Sequence, residues 1–125
     1  MGTPEPLITL AEYRLTSTAA SYGRAITALA ERVEREGLVG VETYRFYANA
    51  RAGTAAAIIA YEDSETWAKH HELVAGWEEY PRLQATVELT AYTVFGEPSA
   101  TLSAALESAG LSFRVFPSLA AGFDR

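Results

Sequence analysis

The stretch YEDSETWAKHHELVAGW, residues 61–77, predicts the end of a strand that runs directly into a helix. Its acidic start, Asp63 to Glu65, suits the positive end of a helix dipole. The segment carries both Trp and both His residues of a chain that has no Cys and one Met. Because few other groups titrate near neutral pH, we expect any active or ligand-binding site to lie against this helix.

The residues before this helix predict two strands, 39–48 and 54–61, joined by a short loop with turn residues at both ends. Further toward the N-terminus, residues 8–15 have the composition of a strand whose two faces are both covered. Between the strands 8–15 and 39–48, apolar residues at helical spacing predict a helix that ends at Gly37. They are Tyr22, Ile26, Leu29 and Val33.

After the helix, Gly76 and Pro81 are expected to weaken or bend its far end. Residues 87–95 then predict a fourth strand with simple alternation, so that Val87, Leu89, Ala91, Thr93 and Phe95 share one face. The order strand, helix, strand, strand, helix, strand predicts an α+β, ferredoxin-like βαββαβ fold with an antiparallel sheet.

Two helices can cover only one face of a four-stranded sheet. Both sets of alternating positions in the predicted strands are nevertheless rich in apolar side chains. We therefore expect a homodimer in which a second copy covers the free face. The first set comprises Val39, Val41, Ala56, Ile58, Val87 and Leu89, and the second comprises Tyr44, Phe46, Ile59 and Tyr92.

Residues 97–125 predict a helix and strand added to this core of residues 8–96, and we expect all 125 residues to form one domain. Ser99 is a suitable N-cap and Gly110 a suitable stop for the added helix. Its apolar stripe is Leu102, Ala105, Leu106 and Ala109. The tail LSFRVFPSLAAGF that follows is too apolar to float free.

Composition excludes several classes of function. A net charge of −6, without clusters of Lys and Arg, opposes binding to nucleic acid and to anionic membranes. No apolar run is long enough to cross a bilayer, and the N-terminus lacks the basic region of a signal peptide, so we expect a cytoplasmic protein. The absence of Cys excludes disulfides, thiolate nucleophiles and metal–thiolate sites.

The predicted third strand ends in an aromatic residue, Tyr61. The acidic and Ser-containing residues 62–64 follow it, and His70 lies nine residues after Tyr61. In this pattern and in its element order over residues 8–96, the chain resembles the antibiotic biosynthesis monooxygenase family of dimeric α+β barrels. Two positions depart from it. Ile59 stands where a Glu is frequent, and residues 73–75 lack a second His.

The resemblance implies a pocket between helices and sheet, and oxidation of phenolic or quinol-like substrates by O₂ without cofactor. A phenol becomes reactive toward O₂ once it is a phenolate, so such a site needs a base, a hydrogen-bond donor and a dry aromatic cleft. His70, whose position matches the pattern, is the favoured base; His71 is the second candidate, and a structural role is favoured for it. The charge-stabilising candidates are Arg14, Arg45, Tyr44 and Tyr92, and the candidates for contact with an aromatic substrate are Trp67, Trp77 and Tyr61.

Other functions remain open. A non-catalytic barrel that binds an apolar ligand or a protein fits the missing Glu and second His. Haem degradation is weaker, because the chain's only Asn is Asn49 in the hairpin loop rather than an amide on the first strand. A metal site is disfavoured because a helix turns the adjacent His70 and His71 about 100° apart. Motifs of the common hydrolases, dinucleotide-binding and nucleotide-binding proteins are also missing.

Overall fold

The structure, a computed structural model, describes residues 6–125. Within that range, no helix is both long and apolar enough to span a membrane. The elements in chain order are β1 (Leu7–Leu15), α1 (Ala19–Glu36), β2 (Val41–Asn49), β3 (Thr54–Tyr61), α2 (Ser64–Ala75), α3 (Glu79–Gln84), β4 (Val87–Phe95), α4 (Ala100–Ser108) and β5 (Phe113–Phe116).

The strands form one sheet in the order β2-β3-β1-β4-β5. Its first four strands are antiparallel neighbours in the ferredoxin-like arrangement, which confirms the predicted fold. The C-terminal extension supplies α4 and β5. Because β5 runs parallel to β4, the extension turns an antiparallel sheet into a mixed one.

Short polar side chains begin three of the helices. The side chains of Thr18, Asp63 and Ser99 each accept a hydrogen bond from the backbone N–H three residues later. The far end of the predicted helix is interrupted rather than bent: α2 is capped at Gly76, and a separate α3 follows. Pro81 lies in the first turn of α3, where its missing N–H removes no helical hydrogen bond.

The helices and the sheet enclose two clusters of buried apolar side chains. The first lies under α1 and contains Tyr22, Ile26, Leu29, Val33, Val74, Trp77 and Leu83. The second lies under α2 and α4 and contains Leu7, Tyr61, Trp67, Val94, Leu102 and Leu106. The C-terminal helix therefore contributes to the core between helices and sheet.

The predicted alternation of β4 is wrong because the strand contains a bulge. Tyr13 on β1 is opposite Leu89, and Glu12 is opposite Ala91, so Thr90 is an extra residue between them. The Thr90 hydroxyl donates to the Glu12 carbonyl at 3.0 Å. Leu89 and Tyr92 consequently share the helix-covered face, where simple alternation would place them on opposite faces.

The other face of the sheet has no helix over it in the described chain. Ile58 and Phe95 lie there, about two-fifths exposed at 38% and 39%. The first predicted set does not share one face: Val41, Val87 and Leu89 pack on the helix side, Val39 lies before β2, and Ile58 lies on the face without helices. The tail packs through β5, whereas Leu119 and Phe123 beyond it are exposed.

Candidate functional site

A cavity of about 500 Å³ lies between α2, α3 and α4 on one side and β1 and β4 on the other. Its volume is in the range of small-molecule sites. Aliphatic side chains line much of it, and none of the lining side chains in the described chain carries a formal charge at neutral pH. Its titratable or hydrogen-bonding side chains are Tyr13, Trp67, His71, Tyr80, Gln84 and Tyr92.

Trp67 forms a rigid part of the cavity wall. Its indole Nε1–H donates to Tyr92 Oη at 2.9 Å, and its ring centroid is 4.2 Å from that of His71. Trp67 is 7% exposed and belongs to the second apolar cluster. Trp67 is therefore a core residue that also forms part of the wall of the cavity.

His71 is held in one orientation by its own helix. Its Nδ1 lies 2.8 Å from the Trp67 carbonyl oxygen. Since a carbonyl oxygen can only accept, Nδ1 carries the proton in the neutral ring and Nε2 carries the free lone pair. Burial lowers the pKa of His71, which keeps the ring neutral near pH 7. The side chain is thus prepared to accept a proton at Nε2.

His70 lies behind this wall and is not part of the cavity lining. It is 2% exposed, with its ring centroid 5.3 Å from Tyr44 and 5.9 Å from Tyr61. Burial lowers the pKa of His70 to about 4. Within the described residues its Nδ1 has no hydrogen-bond partner. The adjacent imidazoles therefore occupy different environments, as their 100° separation on a helix requires.

The cavity phenols are hydrogen-bond donors rather than bases. Burial raises the pKa values of Tyr13, Tyr80 and Tyr92, so their hydroxyl groups stay protonated at neutral pH. Tyr92 accepts from Trp67 through oxygen, and its own proton remains to be donated. These hydroxyls can support developing negative charge on a bound molecule.

The structure brings three of the nine predicted site residues to the cavity: Trp67, His71 and Tyr92. Tyr44 and Tyr61 lie with His70 outside its lining. Trp77 is in the first cluster, with the Arg32 guanidinium 4.3 Å from its ring centroid.

Arg45 is exposed on the opposite face of the sheet, beside Ile58 in the strand register. Arg14, on that same face, pairs with Glu88.

Four contributions to the cavity were not predicted from the sequence: Tyr13, Tyr80, Gln84 and the wall formed by α4. Alternation along β1 is the signal that places Tyr13 on the same face as the buried Leu7, Thr9 and Ala11. No comparable signal identifies Tyr80 or Gln84, since both depend on the break between α2 and α3. No group of three metal-binding side chains is found among residues 6–125.

No family model matches the sequence, and no curated protein matches it. Solved structures do match. MupZ from Pseudomonas fluorescens aligns with a TM-score of 0.77 and 16% identity, over 100% of this chain and 93% of MupZ. SnoaB, a cofactor-independent oxygenase from Streptomyces nogalater, aligns with a TM-score of 0.63 and 9% identity, over 77% of this chain and 96% of SnoaB.

A candidate antibiotic biosynthesis monooxygenase from Caulobacter crescentus CB15 aligns with a TM-score of 0.56 and 14% identity. The alignment covers 74% of this chain and 87% of that protein. Identities this low establish the fold and leave activity open. The chain is a ferredoxin-like α+β protein, and it shares this fold with SnoaB and with the candidate antibiotic biosynthesis monooxygenase.

Proposed function

We propose that this protein is a homodimeric monooxygenase that oxidises a phenolic or quinol-type aromatic substrate with O₂ and without a cofactor. The observation that carries the proposal is His71: a neutral imidazole on the wall of an uncharged aromatic cavity, with its lone pair on Nε2. The fold shared with SnoaB, itself a cofactor-independent oxygenase, supports the same reaction class.

In the proposed reaction, His71 Nε2 removes a proton from the substrate and leaves an electron-rich anion. That anion donates electrons to O₂, while the hydroxyls of Tyr13 and Tyr92 donate hydrogen bonds to the developing charge. For an anthrone, the CH₂ between the aromatic rings becomes a carbonyl with one oxygen atom of O₂. The other atom leaves as water with the two methylene hydrogens. The substrate supplies all the electrons, so the balance needs no further reductant.

We assign the base to His71 rather than to His70. His70 matches the family pattern in sequence, but it lies outside the cavity lining and its low pKa makes it a weak proton acceptor. Its contacts with Tyr44 and Tyr61 support a packing role, which holds α2 against the sheet.

A second copy of the chain is part of the proposal. The sheet face without helices carries Ile8, Ile58, Phe95 and Phe116, and each of these side chains is at least 38% exposed. Contact with the same face of a partner would remove this apolar surface from water, as the resemblance to dimeric barrels implies.

Oxygen consumption with a panel of anthrones and quinols tests the catalytic assignment. We expect the variant His71→Gln to lose roughly 10²- to 10⁴-fold in turnover, the usual worth of a general base. Lys69→Gln is the matched control, because Lys69 is exposed on the same helix and pairs only with Glu65 in the described structure. Undiminished turnover by a folded His71→Gln protein would contradict the assignment.

A non-catalytic barrel that binds an apolar ligand is the second candidate. It is favoured by Ile59, which packs against the second cluster at the position where the family pattern frequently has a Glu. A wild-type protein that binds members of the panel and consumes no O₂ with any of them would support this alternative over catalysis.

A further inference from the structure

The proposed base, His71, has no carboxylate against it in the described chain. In the Ser-His-Asp arrangement of hydrolases, a carboxylate bonded to Nδ1 stabilises the cation that forms when the imidazole accepts a proton. Here Nδ1 donates instead to a backbone carbonyl, that of Trp67, at 2.8 Å. Burial lowers the pKa of His71 and this hydrogen bond raises it, and no charged side chain among the described residues contributes. Stabilisation of a protonated His71 therefore has to come from uncharged groups.

The titratable groups that neighbour His71 are themselves uncharged at neutral pH. Burial lowers the pKa of His70 to about 4, and it raises the pKa of each neighbouring phenol. None of these groups supplies an anion to a protonated imidazole. They are His70 on α2, Tyr13 on β1, Tyr61 on β3, Tyr80 on α3 and Tyr92 on β4.

Trp67 places its indole directly against the imidazole of His71. The ring centroids are 4.2 Å apart and the ring planes differ by 35°, whereas the centroid of Tyr61 is 6.4 Å from that of His71. A cation within about 6 Å of an aromatic centroid is attracted to the π face, and indole attracts it most strongly. The two residues are four apart on α2, so the helix itself brings their rings together. The indole is fixed in place, since it is buried and donates to Tyr92 Oη.

We propose that Trp67 is the positioning residue of the base: its carbonyl orients the neutral imidazole of His71, and its indole stabilises the protonated imidazole by a cation–π contact, where hydrolases use a carboxylate. This inference rests on the proposed function for its place in catalysis. The contact itself needs no substrate, so it can be measured on the resting protein. The indole thereby acquires a role beyond packing, which it performs through His71.

Fluorinated tryptophan tests the contact, because fluorine withdraws electron density from the π face and changes the shape of the ring little. In a Trp77→Phe background only position 67 takes the label, since the chain has two Trp residues. Titration of the two imidazoles by NMR then measures proton binding at His71. We expect tetrafluorotryptophan to weaken this binding about three- to tenfold relative to ordinary tryptophan.

Trp67→Phe with fluorinated Trp77 is the matched control. Trp77 lies in the first cluster with the Arg32 guanidinium over its ring, so fluorination there should leave proton binding at His71 unchanged. The wild-type chain labelled at both positions needs no substitution, and it should show the same weakening as the Trp77→Phe protein. Equal proton binding at His71 with fluorinated and ordinary tryptophan in folded wild-type protein would overturn the inference.

The pH profile of anthrone oxidation separates the contact from the reaction. Weaker proton binding at His71 should move the acid limb of kcat/KM to lower pH by the same factor, and the plateau should fall because the base is weaker. An acid limb that stayed in place while proton binding at His71 weakened would refute the positioning role. Weakened proton binding in a protein that consumes no O₂ with any anthrone would support the contact and contradict only the proposed reaction.

Discussion

The indole Nε1–H of Trp67 and the phenol oxygen of Tyr92 are joined by a hydrogen bond of 2.9 Å, which links α2 to β4 at the cavity wall. The link satisfies the one polar group of a side chain that is otherwise buried among apolar neighbours. It also fixes the phenol beside His71, whose ring packs against the same Trp. Packing and the proposed chemistry therefore depend on the same pair.

Replacing Tyr92 by Phe should destabilise the protein, because the Trp67 N–H loses its acceptor. The expected loss in free energy of unfolding is about 1–3 kcal/mol, the usual cost of an unsatisfied buried donor. Urea denaturation measures it. Tyr47→Phe is the control, since Tyr47 is 52% exposed and should lose much less. Equal effects at the two positions would contradict this account of the hydrogen bond.

Truncation of Trp67 to Ala should be far more severe. We expect a loss of about 3–5 kcal/mol in the free energy of unfolding, as large core truncations cause. The same denaturation experiment measures it. If stability fell by less than about 1 kcal/mol while ligand binding disappeared, Trp67 would be a binding residue with little role in the core.

His70 should make the protein less stable in mild acid. Its pKa in the folded protein is about 4, against an ordinary value of 6.5, so the unfolded chain binds the extra proton first as the pH falls. The contribution of the neutral His70 side chain to the free energy of unfolding is complete above pH 6.5 and is lost as the pH falls toward about 4. The expected total is roughly 3 kcal/mol.

Chemical denaturation across this pH range measures the effect in wild type and in His70→Gln. The variant should show a shallower fall in stability, although His71 contributes in the same direction because burial also lowers its pKa. A variant with the same pH dependence as wild type would show that His70 does not remain neutral in the folded protein.

The face of the sheet without helices should mediate dimer formation. Sedimentation equilibrium at micromolar concentration should give twice the chain mass for wild type. Ile58→Arg should give a monomer, because it places a charge among the apolar side chains of this face. Val39→Arg is the control: Val39 is 97% exposed but lies outside the sheet. A monomeric wild-type protein would refute the dimer.

Sequence patterns predicted those parts of the fold that depend on residues close together in the chain. Alternation, helical stripes and capping residues such as Thr18 and Asp63 located the four core strands and the main helices. The same patterns predict a site at α2, because that helix concentrates the imidazole and indole side chains. Shortage of titratable groups was the decisive clue, and it requires no tertiary structure.

The patterns could not show which imidazole reaches the cavity. His70 and His71 differ by one helical position, and the rotation of the helix is set by its contacts with the sheet, among them those of His70 with Tyr44 on β2 and Tyr61 on β3. Tyr80 and Gln84 were missed for a similar reason. Their positions follow from the break at Gly76, where the chain begins a new helix instead of bending the old one.

The extra residue in β4, Thr90, changes which side chains of the strand face the helices and which lie on the face of the sheet without helices. On its N-terminal side Val87 and Leu89 face the helices, and on its C-terminal side Ala91, Thr93 and Phe95 face away from them. Deleting Thr90 would leave a regular ladder in which Leu89 and Ala91 keep their present faces, whereas giving Thr90 a regular place in the ladder would reverse one half of the strand relative to the other. The bulge at Thr90 therefore determines both which side chains of β4 line the cavity and which lie on the face proposed for dimer formation.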